Sequence, residues 1–356
     1  MVASLYVTSA ETFSGKSAVC VGMGMRFRQD GFKAGYMKPV NVDCPLCDGL
    51  GNDDDVLFAK QILEMPESPD LIGPVALTPA KLEQQMRGAS VDWEARLKNA
   101  YDKVAANRDV LVLEGGRSMR EGYVTGLPPR RVVELLDSQT LLVLKHDLPL
   151  MLDRALSAKN YFGDRLLGTV INQVPRNQVD WVHDLVVPFL KRQGVEVFGV
   201  LPKDQVLAAP SVRELAEGLG AEILCCSEAV DNLVETMLVG AMSVESALSY
   251  FRRQPNKAVI TGGDRGDIQL AALETSTRCL ILTGNLYPSP AVLNRAEEMH
   301  CPIILTNKDT LTTTEIIEGY FGRSRFQQPQ KINRFAALLN ENFNFDALYT
   351  ALKLKK

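Results

Sequence analysis

Along the chain, short apolar runs rich in Val, Ile and Leu alternate with stretches whose apolar positions recur every three or four residues. The first pattern predicts buried strands, and the second predicts helices with one face in a core. Residues 5–8 read as a strand and 16–30 as a helix, with Val19, Met23 and Phe27 on one face. Residues 32–38 alternate as a second strand, and 55–64 and 81–105 read as helices. Further short strands fall at 110–113, 140–144, 166–171 and 196–200, the last three separated by helices near 149–161 and 178–193. Alternation at this spacing predicts an α/β fold whose mostly parallel sheet is covered on both faces.

The rhythm breaks at 202–210, which is loop-like. Residues 211–219 read as a short helix, 218–226 contain a strand end, and 230–250 read as one long helical stretch. A second αβ series follows, with strands at 258–261, 279–282 and 302–305 and helices at 267–275, 290–299 and 312–319. This pattern predicts a first domain over 1–210, a smaller α/β domain over 211–330 and a basic C-terminal extension over 331–356, entered through a short linker at 327–330.

Composition narrows the class. At about 100–200 residues per domain, 356 residues suit two domains. Charged residues at 23% and hydrophobic ones at 46% exclude a disordered chain, a collagen and a disulfide-stapled miniprotein. The net charge of −4 argues against a dedicated nucleic-acid binder. Charge is uneven: residues 323–356 carry seven Lys/Arg against two Asp/Glu, which reads as a solvated C-terminal helix. No apolar run approaches the ~18 residues of a membrane span, and the start, MVASLYVTSAETFSGKS, lacks a basic leader and cleavage site. Seven cysteines, an odd number, suit free thiols in a reducing compartment. The expected location is cytoplasmic.

The strongest chemical signal is Ser9-Ala10-Glu11-Thr12-Phe13-Ser14-Gly15-Lys16-Ser17, between the first strand and the first helix. That is the setting of a phosphate-binding loop. Turn N–H groups and a helix N-terminus attract an anionic phosphate. Gly15 allows close backbone approach, Lys16 brings a point charge, and Ser17 offers a hydroxyl to Mg²⁺. The usual first glycine is absent, with Ala10 in its place and Ser9 one residue earlier.

Three elements belong with this loop. Lys38-Pro39-Val40 ends the second strand, where a Lys either is a surface residue or reaches an anion. Asn52-Asp53-Asp54-Asp55 starts a helix; its carboxylates suit capping, and one of them suits Mg²⁺. Glu114-Gly115-Gly116 follows the strand VLVL, and a carboxylate there, with glycines leaving room for a ligand, suits Mg²⁺ or water positioning. The polar loop 117–126 follows.

In this order the four elements resemble dethiobiotin synthetase and its relatives, a branch of P-loop NTPases that includes cobyrinic acid a,c-diamide synthases. Glu11-Thr12 and Gly15-Lys16-Ser17 match that family's loop, whereas Ser9 departs from it. The resemblance implies binding of ATP or another nucleotide with Mg²⁺. It places Glu11, Thr12, Phe13, Ser14, Gly15, Lys16 and Ser17 around the phosphates, Lys38 at the carbamate-lysine position, and Ser17, Asp55 and Glu114 as metal ligands. Asn172, in GTVINQ, falls at the base-reading Asn, and Pro202, in GVLP, in the adenine-side loop.

Residues 199–219, GVLPKDQVLAAPSVRELAEGL, and 259–274, VITGGDRGDIQLAALE, look like this module followed by a DRTGG domain. That pair forms the N-terminal part of long phosphotransacetylases and also occurs alone. Asp264, Arg265 and Asp267 are then either turn chemistry or a ligand or dimer contact. The resemblance implies a homodimer or higher homo-oligomer held through the DRTGG domain. Too few residues follow 330 for the acetyl-transferring domain, so phosphotransacetylation is not expected.

Cys44-Pro45-Leu46-Cys47 is a lone CxxC, read as two loop thiols, a redox switch or a shared metal site. Cys225-Cys226, Trp93 and Trp181 read as packing residues. His146 ends a strand at the crevice edge, and the other histidines are His183 and His300. Three functions fit: a nucleotide-binding regulatory or assembly module, favoured here; an ATP-dependent ligase acting on a carboxylate or carbamate; and an adaptor with a degenerate pocket. A protein partner stays open; nucleic acid and membrane are not expected.

Overall fold

The computed structural model describes residues 2–42, 54–88, 90–322 and 326–355. It divides into two compact units, Met1–Lys203 with Pro329–Lys356, and Asp204–Gln328. The strands of the first unit are β1 (Ala3–Ser9), β2 (Ala34–Met37), β3 (Val40–Asn41), β4 (Val75–Ala76), β5 (Val110–Glu114), β6 (Gln139–Lys145), β7 (Leu166–Val174) and β8 (Val197–Pro202). β3 and β4 form a small parallel pair, and the other six form one parallel sheet in the order β2-β5-β1-β6-β7-β8. The runs VLVL of β5 and LLVL of β6 are wholly buried, as strands covered on both faces must be. The helices are α1 (Lys16–Gln29), α2 (Asp54–Ile62), α3 (Pro69–Ile72), α4 (Pro79–Met86), α5 (Trp93–Ala105), α6 (Pro129–Leu135), α7 (Leu150–Phe162), α8 (Val179–Trp181) and α9 (Val187–Arg192).

The second unit contains α10 (Gln205–Ala208), α11 (Val212–Leu219), β9 (Glu222–Cys225), β10 (Thr236–Val239), α12 (Val244–Arg253), β11 (Lys257–Gly262), α13 (Gly266–Leu273), β12 (Thr277–Thr283), α14 (Pro290–Glu298), β13 (Ile303–Leu305) and α15 (Thr310–Glu318). Its sheet runs β10-β11-β12-β13-β9, with β9 antiparallel. The strand period of two sorts its core. Val259, Leu280, Leu282 and Ile303 face α12, α13 and α14, while Ala258, Ile260, Cys279, Ile281 and Ile304 face α11 and α15. The α/β architecture, a parallel-sheet module followed by a smaller mixed-sheet one, agrees with the alternation.

Several expectations change. Residues 81–105 are two helices, because Gly88 turns the chain at φ 88° and Asp92 caps α5 by accepting the Ala95 N–H at 2.9 Å. Residues 230–250 are not one helix. Thr236–Val239 pairs in parallel with Lys257–Ile260, and Ser243 in extended backbone starts α12. Residues 178–193 are interrupted by a wide π turn at Val182–Val186, just before Pro188, which has no N–H to donate.

The basic end is not a solvated helix. It forms α16 (Pro329–Asn342) and α17 (Phe345–Leu352), both packed on the first unit. Ile332, Phe335, Leu338 and Leu339 make a stripe at helical spacing and are buried. A Cβ on Gly22 of α1 would stand 3.0 Å from Leu339 and 3.2 Å from Phe335, so α1 and α16 approach closely. Phe343 stacks on Phe198 of β8 at 5.9 Å, and the Tyr349 hydroxyl donates to Asp30 at 2.5 Å. Each buried apolar side chain contributes about 1.5–3 kcal/mol, which outweighs the solvation of the charges spaced between them. Arg323, Arg325 and Lys356 of the basic end, and Cys44, Cys47 and Asp53, lie outside the described residues.

Phe335→Ala should therefore destabilise the first unit by about 3–5 kcal/mol, read as a lower urea midpoint. A solvated C-terminal helix would leave the midpoint unmoved.

Candidate functional site

β1 lies between β5 and β6, where the order of connection reverses. In open parallel sheets ligands bind beyond the strand ends at such a point. The loop 9–15 leaves β1 here, and α1 begins at Lys16. Gly15 holds φ 88° and ψ 17°, a left-handed conformation, and no side chain caps the helix. The first-turn N–H groups are left without a side-chain cap, as the start of an anion-binding helix is. Ser9, one residue before the usual glycine position, donates to the Glu11 carbonyl at 2.8 Å. Thr12 and Phe13 are exposed, and Phe13 also has positive φ, at 56°.

Glu114 ends β5 with its side chain 1% exposed, and three donors converge on it. Lys16 Nζ and Ser17 Oγ each reach Oε1 at 2.7 Å, and the Tyr36 hydroxyl reaches Oε2 at 2.8 Å. Lys38 Nζ, on the strand end beside it, pairs with Asp55 Oδ2 at 2.8 Å. Burial alone would raise the Glu114 pKa. The charges of Lys16 and Lys38, with the hydrogen bonds from Lys16 and Ser17, overcome it and hold the carboxyl at about 2. Tyr36 is pushed the other way, by burial and by the neighbouring carboxylate charges.

The remaining candidates fall at various distances from this centre. Arg154 of α7 pairs with Glu11 at 2.8 Å and with Asp147 at 3.4 Å. Asn172, buried at the end of β7, donates Nδ2 to the Ser14 carbonyl at 2.8 Å and accepts the Gln173 N–H on Oδ1 at 2.9 Å. Pro202 ends β8, three strands from β1. The glycines after Glu114 do not clear space for a ligand. A Cβ on Gly115 would sit 2.8 Å from the Tyr6 hydroxyl and 3.1 Å from the Val7 carbonyl, and one on Gly116 would strike Glu121 at 2.2 Å. They make room for β1 and for the loop's own carboxylate. Asp55 is bonded to Lys38, whereas Ser17 and Glu114 are bonded to each other.

In the second unit, Arg265 forks onto Asp267 at 3.1 and 3.2 Å and donates to the Met242 carbonyl at 3.1 Å. Gln269 ties the Gly262 and Gly263 carbonyls at 2.9 and 3.1 Å. Cys225 and Cys226 are buried, and burial pushes both thiols up, Cys226 to about 12, as packing residues. Burial lowers the pKa of His146. Among the described residues no group of His, Cys, Asp and Glu side chains forms a metal cluster. None of their helices is long and apolar enough to cross a membrane.

Tyr36, Gln173 and Arg154 were missed as site residues. Tyr36 had a signal, since it stands two residues before Lys38 and so shares its strand face. Gln173 and Arg154 had none.

A family model described as an AAA domain matches residues 3–211, more than half of the chain. The chain belongs to this AAA-domain family. A DRTGG domain model matches residues 214–320, so the pairing expected from the sequence is borne out. The chain is 25% identical to a phosphate acetyltransferase of Synechocystis sp., over 99% of its own length and 52% of that protein. A Nitratidesulfovibrio vulgaris phosphate acetyltransferase is 23% identical, with 99% and 52% covered. Over 32% of the chain and 49% of the relative, it is 30% identical to an ATP-dependent dethiobiotin synthetase of Thermodesulfovibrio yellowstonii. The chain thus spans about half the length of the phosphate acetyltransferases it matches and resembles their P-loop and DRTGG part. The CBS and DRTGG domains of the regulatory region of Clostridium perfringens pyrophosphatase align at 20% identity and TM-score 0.30, over 43% of this chain and 74% of that one.

The AAA domain's buried carboxylate predicts a pH dependence. Its folded pKa, about 2, lies below the ordinary 4.5. Its contribution to stability is full above pH 4.5 and lost as pH falls toward 2. In Glu114→Gln the acid limb of stability between pH 5 and 2 should be shallower than in wild type, measured by urea unfolding at each pH.

Proposed function

We propose that the chain is a nucleotide-binding regulatory or assembly module, with the AAA domain taking ATP together with Mg²⁺. The observation that supports it is the convergence of Lys16, Ser17 and Tyr36 on buried Glu114 at the mouth of an uncapped helix. Ser17 Oγ and Glu114 Oε1 are hard oxygen donors at one point, a set suited to Mg²⁺, with Asp55 as the further carboxylate on the Lys38 side. When bound, the ion would neutralise phosphate charge. Lys16 must leave Glu114 to meet a phosphate, and Glu114 at 1% exposure then needs another cation. Nucleotide and divalent ion should therefore bind as one unit. In this reading the DRTGG domain holds a homodimer or larger homo-oligomer, with Asp264, Arg265 and Asp267 at a ligand or dimer contact.

A second reading, an ATP-dependent ligase, draws on Lys38. It is buried, paired with Asp55 at 2.8 Å, and could stabilise a carboxylate or carbamate anion. ATP turnover appearing only with an amine and bicarbonate would select it.

The test is calorimetric. Wild type should bind ATP with Mg²⁺ and hardly at all in EDTA. Lys16→Ala should weaken binding about ten- to hundredfold, the worth of a charged hydrogen bond. Glu114→Gln should abolish the Mg²⁺ dependence. No heat with any nucleotide, with or without Mg²⁺, would leave only the adaptor.

A further inference from the structure

The end of β7 carries a feature that the nucleotide reading does not use. In pairing with β8, Ile171 lies opposite Val200 and Val174 opposite Pro202, so β7 holds one extra residue between them. Such bulges re-aim side chains and recur beside functional sites. Here the irregular residues are Asn172 and Gln173, and Gln173 has φ 60°, uncommon for a residue with a side chain. In a regular strand two successive side chains would point to opposite faces. With the bulge, both reach the same loop. Asn172 Nδ2 holds the Ser14 carbonyl at 2.8 Å, and Gln173 Nε2 holds the Phe13 carbonyl at 2.9 Å. Asn172 Oδ1 accepts the Gln173 N–H, which fixes the amide the right way round. A Cβ on Gly15 would meet Asn172 Nδ2 at 2.3 Å, so the clasp also requires the glycine.

A phosphate loop works by turning successive N–H groups inward, and its carbonyls must then be satisfied outside. Phe13 and Gly15 both take positive φ, and the two amides bind the carbonyls of Phe13 and Ser14. We propose that Asn172 and Gln173 are positioning residues, a two-amide clasp that holds the phosphate loop in its anion-ready shape. This inference rests on the nucleotide reading of the loop. It gives Asn172 a role besides any base reading, since both ends of its amide bond the protein.

The experiment uses the full chain and compares wild type, Asn172→Ala and Gln173→Ala by calorimetry, with Mg²⁺-ATP and with Mg²⁺-tripolyphosphate, which has no base. The clasp predicts that each variant loses affinity for both ligands by the same factor, about tenfold for one hydrogen bond. Weaker ATP binding with unchanged tripolyphosphate binding would overturn it in favour of base reading. Amide hydrogen exchange at residues 13–17 without ligand is the second measurement. It should quicken in both variants while β6 and α7 keep their protection, and unchanged loop exchange would also overturn the clasp. If wild type binds neither ligand, the nucleotide reading fails, and exchange still decides the clasp.

Discussion

An ionised carboxylate that is almost wholly buried is costly unless charges and donors surround it, and Glu114 is such a group. The elements at the head of the first sheet are arranged to meet that demand. α1 contributes Lys16 and Ser17 from its first turn, β2 contributes Tyr36, and the charge of Lys38 acts from the same strand end. Lys38 in turn recruits Asp55 from α2. One side chain at the end of β5 thus ties two helices and the neighbouring strand. Lys16, Ser17 and Tyr36 all meet on that one side chain.

Strain is placed where this arrangement needs it. Phe13, Gly15 and Gln173 all hold positive φ within one hydrogen-bonded patch. For residues with side chains such conformations cost about 1–3 kcal/mol each and persist where the surroundings over-determine them. Here those surroundings are two side-chain amides and a glycine with no room for a methyl group. The loop is gripped on its outer side, and its inner side is left to the helix N-terminus.

Much of this was legible in the residues. The runs at 110–113 and 140–144 are apolar without alternation, which only a strand covered on both faces requires. Lys16, Ser17, Lys38 and Glu114 each end or begin an element, and topology brings such ends together. What could not be read was long-range. Asn172 is recognisable as a site residue, but its partner is a carbonyl 158 positions earlier, and a bulge leaves no mark in the sequence. Gly115 suggested an opening for a ligand, whereas its missing side chain admits Tyr6 of β1. In the tail, seven basic residues drew attention away from Ile332, Phe335, Leu338 and Leu339, whose spacing already spelled a buried face. At 230–250 a run of Met, Leu and Val fits helix and strand alike, and only pairing with β11 decides between them.

The return of α16 to α1 makes the first unit discontinuous: its sheet ends at residue 202, yet two of its covering helices, α16 and α17, come after the whole second unit. Synthesis runs from the N-terminus, so the surface of Gly22 and Phe198 waits bare while about 125 residues of another unit emerge and fold. The second unit can finish early; the first cannot. A nascent chain therefore has a long interval in which α1 rests on β1, β2 and β5 but lacks its contacts with α16.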